Sequence, residues 1–411
     1  MTFSRRDFLK FMALPAAAGL LARPKLHAFF SGDGSVRNLI LVDLRGGCDG
    51  LNLVVPYGVN GGTYYTEFRG SLAVPQNQVL ALSGQVGLNP RMTALKAHYD
   101  LGRLAVVQGV SYPDPDFSHE VASAIWQSGA LAGFAPQGWL AKHLQAQAVA
   151  GPAAVSLDES ITLLLDGSGG FVPAFTDIGQ FEFPSDPYHQ PDKDNRRAAY
   201  AAIAAGLAGS PQPSLASMSA TSTGLLDLID QFEALPTFSH VGAYPDNTEL
   251  SDLLKLVAQL MYGNLGLRYF HVPYGGWDTH ADQESDDYHS DRLGKVSDAL
   301  SAFHADLAAM GLADDTLVVV FSEFGRTVYQ NGSKGTDHGT VNPVLVFGNG
   351  VSGGLTTAHP SMDPGDLTED NELPMVADFR DVFGTVVEDW LGGSAATCFP
   401  GHTLTNLGLV T

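Results

Sequence analysis

Two short segments concentrate the side chain types that hold metal ions. In Gly275-Gly276-Trp277-Asp278-Thr279-His280, a carboxylate and an imidazole stand two residues apart after a Gly-Gly turn. In extended chain they project to one side, and an Asp/His mixture suits Zn or Mn. The structural alternative is a turn in which Asp278 caps an amide and His280 is incidental. In Gly335-Thr336-Asp337-His338-Gly339, glycines on both flanks let the backbone pass close to a ligand or ion; an ordinary glycine-rich loop is the alternative. Glu323, in Ser322-Glu323-Phe324-Gly325-Arg326, directly follows an apolar run. A buried carboxylate there needs a cation or a donor, and Arg326 is a candidate donor. Asp49 follows Arg45-Gly46-Gly47-Cys48, a stretch too rich in glycine to be only a connector. Ser118-His119 opens a helical pattern. A serine in that position is most often a plain N-cap, although free helix amides also favour an anion and a nucleophilic hydroxyl.

These residues need a frame that brings them together. Near-continuous apolar runs at 37–44, 104–110, 267–272, 316–321 and 341–347 are expected to be parallel strands buried on both faces. One more strand is expected near Ala153–Leu157. Helical patterns at 92–99, 119–127, 250–262, 287–310 and 379–391 alternate with them, which predicts a parallel α/β sheet with helices on both sides. Four of the polar clusters follow strand ends, and the cluster around His338 precedes the run at 341. Sites in open α/β sheets form beyond the carboxyl ends of the strands. Residues 130–240 are rich in Ala, Gly, Ser and Pro and too long for a plain connection; they are expected to be a variable cover over the site.

The segments LRGGCDGLNLVVPYG, GRLAVVQGVSYPDPDFSHEVASAIWQSG, GWLAKHL, GGWDTHADQ, SEFGRTVYQNGSKGTDHGT and DFRDVFGTVVEDWLGG resemble an exported bacterial family known as domain of unknown function 1501. Its members share a twin-arginine leader. The family is placed with the alkaline-phosphatase/sulfatase-like superfamily. The resemblance implies a three-layer α/β/α sandwich with a mainly parallel central sheet. It also implies a metal-dependent hydrolase of phosphate or sulfate esters, with one or two divalent ions such as Zn or Mn. In that scheme Ser118 is the nucleophile, and Asp49, Asp278, His280, Glu323 and His338 are metal ligands. His119, Arg326 and Asp337 would contact the substrate. Two departures stand out: Asp278 and His280 are closer together than the superfamily's usual Asp…His pair, and Phe324 replaces a ligand beside Glu323. They imply a single ion or an altered pair. A non-catalytic exported binding or assembly protein on the same fold is the competing class. A dinucleotide enzyme is disfavoured, because no GxGxxG opens a helix after the first run.

Residues 1–28 belong to no such pattern. Basic Arg5-Arg6 precede a short apolar stretch and a small-residue exit near Ala28, as in a twin-arginine signal peptide rather than a membrane span. Residues 29–411 are then expected to form one domain, exported to the periplasm by the twin-arginine machinery. The 411 residues carry 22 Lys+Arg against 44 Asp+Glu, a net charge of −22. That balance argues against nucleic acid or anionic lipid as partners and leaves a small anionic ester as the expected ligand. Cys48 and Cys398 are too few for a disulfide framework. One isolated bridge or two free thiols remain.

Overall fold

The computed structural model describes residues 37–132, 135–148, 152–168, 171–180 and 189–411; the expected leader and its Arg5-Arg6 pair lie outside them. The main sheet is built from Asn38–Asp43 (β1), Leu104–Ser111 (β2), Ala154–Ser156 (β3), Tyr269–Pro273 (β4), Thr316–Phe321 (β5), Asn342–Phe347 (β6), Gly354–Leu355 (β7) and Ala377–Asp378 (β8). In space the order is β7-β2-β6-β5-β1-β4-β3, with β8 also paired to β2. The strands β3, β4, β1 and β5 run parallel.

Strand β6 is the exception. It pairs antiparallel with β5 and with β2, placing Phe347 opposite Val318 and Leu104, and Asn342 opposite Val110. A parallel return from β5 would need a crossover, usually a helix. The chain between Phe321 and Asn342 instead stays at one edge and forms a two-stranded ribbon pairing Gly325–Arg326 with His338–Gly339. The start of β6 therefore lies where β1, β4, β5 and β2 end. This is why the cluster around His338 precedes its strand yet reaches the same edge.

The helices that matter here are Gly50–Leu53 (α1), Thr63–Arg69 (α2), Thr93–Asp100 (α3), His119–Ser128 (α4), Trp139–Ala146 (α5), Gln190–Leu207 (α6), Pro213–Glu233 (α7), Glu249–Tyr262 (α8), Tyr288–Met310 (α9) and Phe379–Thr385 (α10). Side chains alternate across a strand, and the two faces of β1 show it. Ile40 and Val42 join a core with Leu254 and Val257 of α8 and Leu300 and Phe303 of α9. Leu39 and Leu41 join another core with Trp126 of α4, Trp139 of α5, and Phe379 and Phe383 of α10. Each such fully buried side chain contributes about 1.5–3 kcal/mol. The result is helix, sheet, helix in three layers. In the second layer Trp126 stacks on Phe321 at 5.7 Å and on Phe379 at 4.7 Å, which fixes α4, the helix that begins at His119.

Within 130–240 the structure has β3 and α5, together with the long helices α6 and α7. Lys193 pairs with Glu233 at 2.9 Å, and Arg197 pairs with Asp230, so α6 and α7 lie side by side. Cys48 and Cys398 are both buried and unpaired. No helix among the described residues is long and apolar enough to cross a membrane.

Candidate metal centre

After β1 the chain turns through Gly46 and Gly47, with φ of 119° and 69°, conformations that favour glycine. A Cβ on Gly46 would stand 2.6 Å from the amide nitrogen of Asp278, so the loops after β1 and β4 are in direct contact. Arg326 binds these loops together. Its Nε donates to the Gly47 carbonyl at 2.6 Å and its Nη1 to the Thr336 carbonyl at 2.9 Å. Its Nη2 serves the carbonyls of Trp277 at 3.1 Å and of Gly46, and Asp278 Oδ1 at 2.6 Å. The side chain has no solvent-exposed surface. Arg326 was expected to contact substrate; with its donors consumed by protein acceptors, it instead holds the site loops in place.

On that platform three histidines converge on one carboxylate. His280 Nε2 and His338 Nε2 lie 3.0 and 3.1 Å from Asp278 Oδ1, and 3.0 Å from each other. His119 Nε2 is 3.5 Å from Asp278 Oδ2. Ligand atoms of His119, Asp278 and His338 all fall within 4.8 Å of one another. The remaining ring nitrogens are engaged. His280 Nδ1 faces Asp337 Oδ1 at 2.8 Å, His338 Nδ1 the Phe117 carbonyl at 2.7 Å, and His119 Nδ1 faces Glu323 Oε1 at 2.8 Å. Each of those partners accepts, so each Nδ1 carries the proton and each Nε2 presents a lone pair toward Asp278. Lone pairs and a carboxylate 3.0–3.5 Å apart repel unless a cation sits between them. Metal-bound histidines show this same pattern, with the distal N–H given to a carboxylate or carbonyl. The residues fit a divalent ion of the Zn or Mn type.

Charge supports the arrangement. Burial disfavours the ionised Asp278, but its contacts, the hydrogen bond from Arg326 foremost, outweigh it and hold the carboxyl well below its usual range. The hydrogen bond to Glu323 raises the His119 pKa, and the one from His280 lowers that of Asp337.

The structure redistributes several expected roles. His119, expected at the substrate, belongs with Asp278 and His338. Asp337, expected at the substrate as well, orients His280. Glu323, expected as a ligand, is 3% exposed at its side chain. It accepts from the Gly46 amide at 2.8 Å and the Ser322 hydroxyl at 2.9 Å as well as from His119, so it acts through His119. Phe324 packs 4.9 Å from the His119 ring and 4.5 Å from the His338 ring, a wall where a second ligand was sought. The Phe117 carbonyl is the one contributor no sequence pattern signals, because it is a backbone atom.

Ser118 sits between Phe117 and His119, both engaged with the cluster. It occupies the N-cap position of α4, yet its hydroxyl makes no capping hydrogen bond; its own amide is held by Asp116 Oδ1 at 2.7 Å. The residue is exposed.

Asp49 is at the same edge but turned inward. It caps α1 by accepting from the Leu51 amide at 3.2 Å, takes an ion pair from Arg69, and accepts from Gln283 Nε2 at 2.6 Å. Asp49, Arg69 and Gln283 are all 0% exposed. The expected ligand role is replaced by a buried ion pair, because Arg69, twenty positions away in sequence, reaches its carboxylate. Burial pushes the Asp49 carboxyl up, but Arg69, His289 and Gln283 more than offset that and lower it.

The fold is a three-layer α/β architecture, and the cluster gathers His and Asp side chains that could hold a metal ion. Over residues 36–387 the sequence matches the family described as protein of unknown function DUF1501, and the chain belongs to that family. A search of curated proteins finds no match. Among solved structures the chain is similar to the lipoteichoic acid synthase LtaP from Listeria monocytogenes, at 12% identity over 98% of this chain and 82% of that one, with a TM-score of 0.41. It is similar also to the C-terminal periplasmic domain of EcEptC from Escherichia coli, solved in complex with Zn, at 12% identity over 95% and 96% of the two chains, TM-score 0.41. A third is a protein in the alkaline phosphatase superfamily from Vibrio parahaemolyticus, at 9% identity over 90% and 70%, TM-score 0.38.

Proposed function

We propose that this protein is a metal-dependent hydrolase of phosphate or sulfate esters that acts outside the cytoplasm. The observation that carries the reading is the convergence of the His119, His280 and His338 Nε2 atoms on Asp278, each ring held by a separate acceptor. These four residues would hold one divalent ion, which when bound supplies charge to polarise the ester and to favour an ionised hydroxyl. Ser118 is the nucleophile in this reading: the residue is exposed, its hydroxyl makes no capping hydrogen bond, and it stands at the N-terminus of α4, where the first-turn amides favour an anion. Glu323, Asp337 and the Phe117 carbonyl hold the imidazoles with Nε2 deprotonated. Arg326 keeps the loops from separating. Export through the twin-arginine route is proposed from Arg5-Arg6 and the apolar stretch that follows.

Two measurements test the reading. Elemental analysis of protein purified without added metal should find about one Zn or Mn per chain. Ser118→Ala should then abolish turnover of phosphate and sulfate mono- and diesters while leaving that metal content unchanged. A metal-free wild type, or a metal-loaded one inert across the ester panel, would favour the binding or assembly protein instead. That second reading draws on Phe324, which walls off the side where a further ligand would stand. Replacing Arg5 and Arg6 with Lys should leave folded precursor in the cytoplasm; unchanged export would remove the twin-arginine assignment.

A further inference from the structure

We propose that Arg292 is a positioning residue of the metal centre: through the Gly275-Gly276 turn it holds the Asp278 carboxylate where the histidines meet it. The inference rests on the metal-binding reading of the cluster and not on hydrolysis. A ligand must stand within about 0.5 Å of its working position, yet Asp278 follows two residues with no side chain to hold them. Gly276 is exposed and has a φ of 88°, and no heavy atom stands within 4 Å of where a Cβ on Gly275 would be. The restraint comes from the first turns of α9. Arg292 Nη2 donates to the Gly275 carbonyl, and the Tyr288 hydroxyl donates to the Gly276 carbonyl at 3.1 Å. The fit is close: a Cβ on Gly276 would stand 2.9 Å from Arg292 Nη2 and 3.0 Å from the Tyr288 hydroxyl oxygen.

Aromatic faces hold the guanidinium in turn. No acceptor among the described residues meets its buried Nε. Its Cζ lies instead 4.4, 5.2 and 5.3 Å from the ring centroids of Tyr274, Trp277 and Tyr288, all inside the roughly 6 Å over which a ring attracts a cation. Tyr274 immediately precedes the two glycines and Trp277 immediately follows them. Trp277, 0% exposed, donates its indole N–H to the Tyr274 carbonyl at 2.8 Å, which closes the turn at its base. One guanidinium therefore grips both ends of the turn and a carbonyl between them. Arg326 binds the Asp278 carboxylate itself; Arg292 fixes the backbone that carries it.

The test is the Zn affinity of the purified full chain, read by competition with a chromophoric chelator well below Tm. Arg292→Met keeps an apolar stem and loses the charge and the donors. Its affinity should fall about tenfold, the lower end of the range for residues that orient metal ligands. Arg292→Lys keeps a cation over the rings and a donor for the Gly275 carbonyl but not the flat fork, and its affinity should fall between that of Arg292→Met and wild type. Leu254→Ala is the control for mere destabilisation: Leu254 is 0% exposed in the core between α8, α9 and β1, so its loss should lower Tm and leave Zn affinity as in wild type. Wild-type affinity in folded Arg292→Met, a loss no greater than in Leu254→Ala, or a lysine variant no better than the methionine one would overturn the proposal and leave the metal reading standing. A wild type that binds no Zn would overturn both.

Discussion

Asp278 and Asp49 follow neighbouring strands at one edge of the same sheet, and the structure treats them oppositely. Asp278 has 46% of its side chain exposed, and among the described residues its side chain faces, besides Arg326, the imidazole nitrogens of His119, His280 and His338. Asp49 is 0% exposed, and Arg69, Gln283 and the Leu51 amide already serve its oxygens. A carboxylate surrounded by lone pairs calls for a cation; one surrounded by donors is already satisfied. Position at a strand end is therefore not enough to make a ligand. What decides is whether the neighbouring side chains donate or accept.

The largest effect that would sharpen this contrast is loss of the ion. Asp278→Ala and His280→Ala should each reduce metal content from about one per chain to below a tenth, measured by elemental analysis on folded protein. Retained metal in both would break the assignment of the cluster. Asp49→Ala should do the reverse. It strands the buried Arg69 guanidinium, a change that costs about 3–5 kcal/mol in known buried pairs, while any protein that folds keeps its metal. Denaturant unfolding gives the stability and elemental analysis the content. A folded Asp49→Ala protein without metal would erase the distinction between the two carboxylates. A smaller effect should come from Asp337→Asn, which keeps the shape but loses the charge that orients His280. Metal affinity should fall about 10–100-fold with Tm nearly unchanged, as read by competition with a chromophoric chelator. An unchanged affinity would make the Asp337–His280 contact incidental.

Much of this was legible in the residues. Strand β5 at Thr316–Phe321 coincides with its apolar run, because a strand buried on both faces leaves a continuous signal. Helix α9 matches to within a residue, since its apolar spacing is long. The helices α6 and α7 were not anticipated. Their Ala, Ser and Gly residues give weak periodicity, and α7 begins at Pro213, a residue that reads as a break in sequence but is well tolerated in a first turn. The direction of β6 was also missed, since apolarity does not encode polarity of the chain. For the site, Asp278, His280 and His338 stood in plain motifs. The partner that removes Asp49 did not: Arg69 is simply one basic residue in an exposed-looking helix until the fold turns it inward. His119 was visible, but its placement beside Asp278 and His338 was not, because its link to Glu323 spans 204 positions.

The subtlest expected difference is in pH dependence. The unfolded chain protonates Asp49 near 3.8, and the folded chain only at a lower pH, because Arg69, His289 and Gln283 outweigh the effect of burial. A carboxylate with a lowered folded pKa contributes stability that is complete above the unfolded value and is lost as pH falls through the folded one. Asp49→Asn is uncharged throughout and has no such contribution to lose. The stability gap between wild type and Asp49→Asn should therefore be constant from pH 7 to about 5 and narrow below about 4, by at most about 1.4 kcal/mol per pH unit. Asp278→Asn, compared with wild type in the metal-free protein, should show a weaker narrowing over the same range. Its folded pKa is lowered too, but with nearly half the side chain in water its interactions are screened. Urea midpoints at pH 6, 4 and 3 for the three proteins measure both gaps. If the two narrow alike, or the Asp49 gap does not narrow at all, then the Arg69 pair is not what distinguishes the buried carboxylate from the one in the cluster.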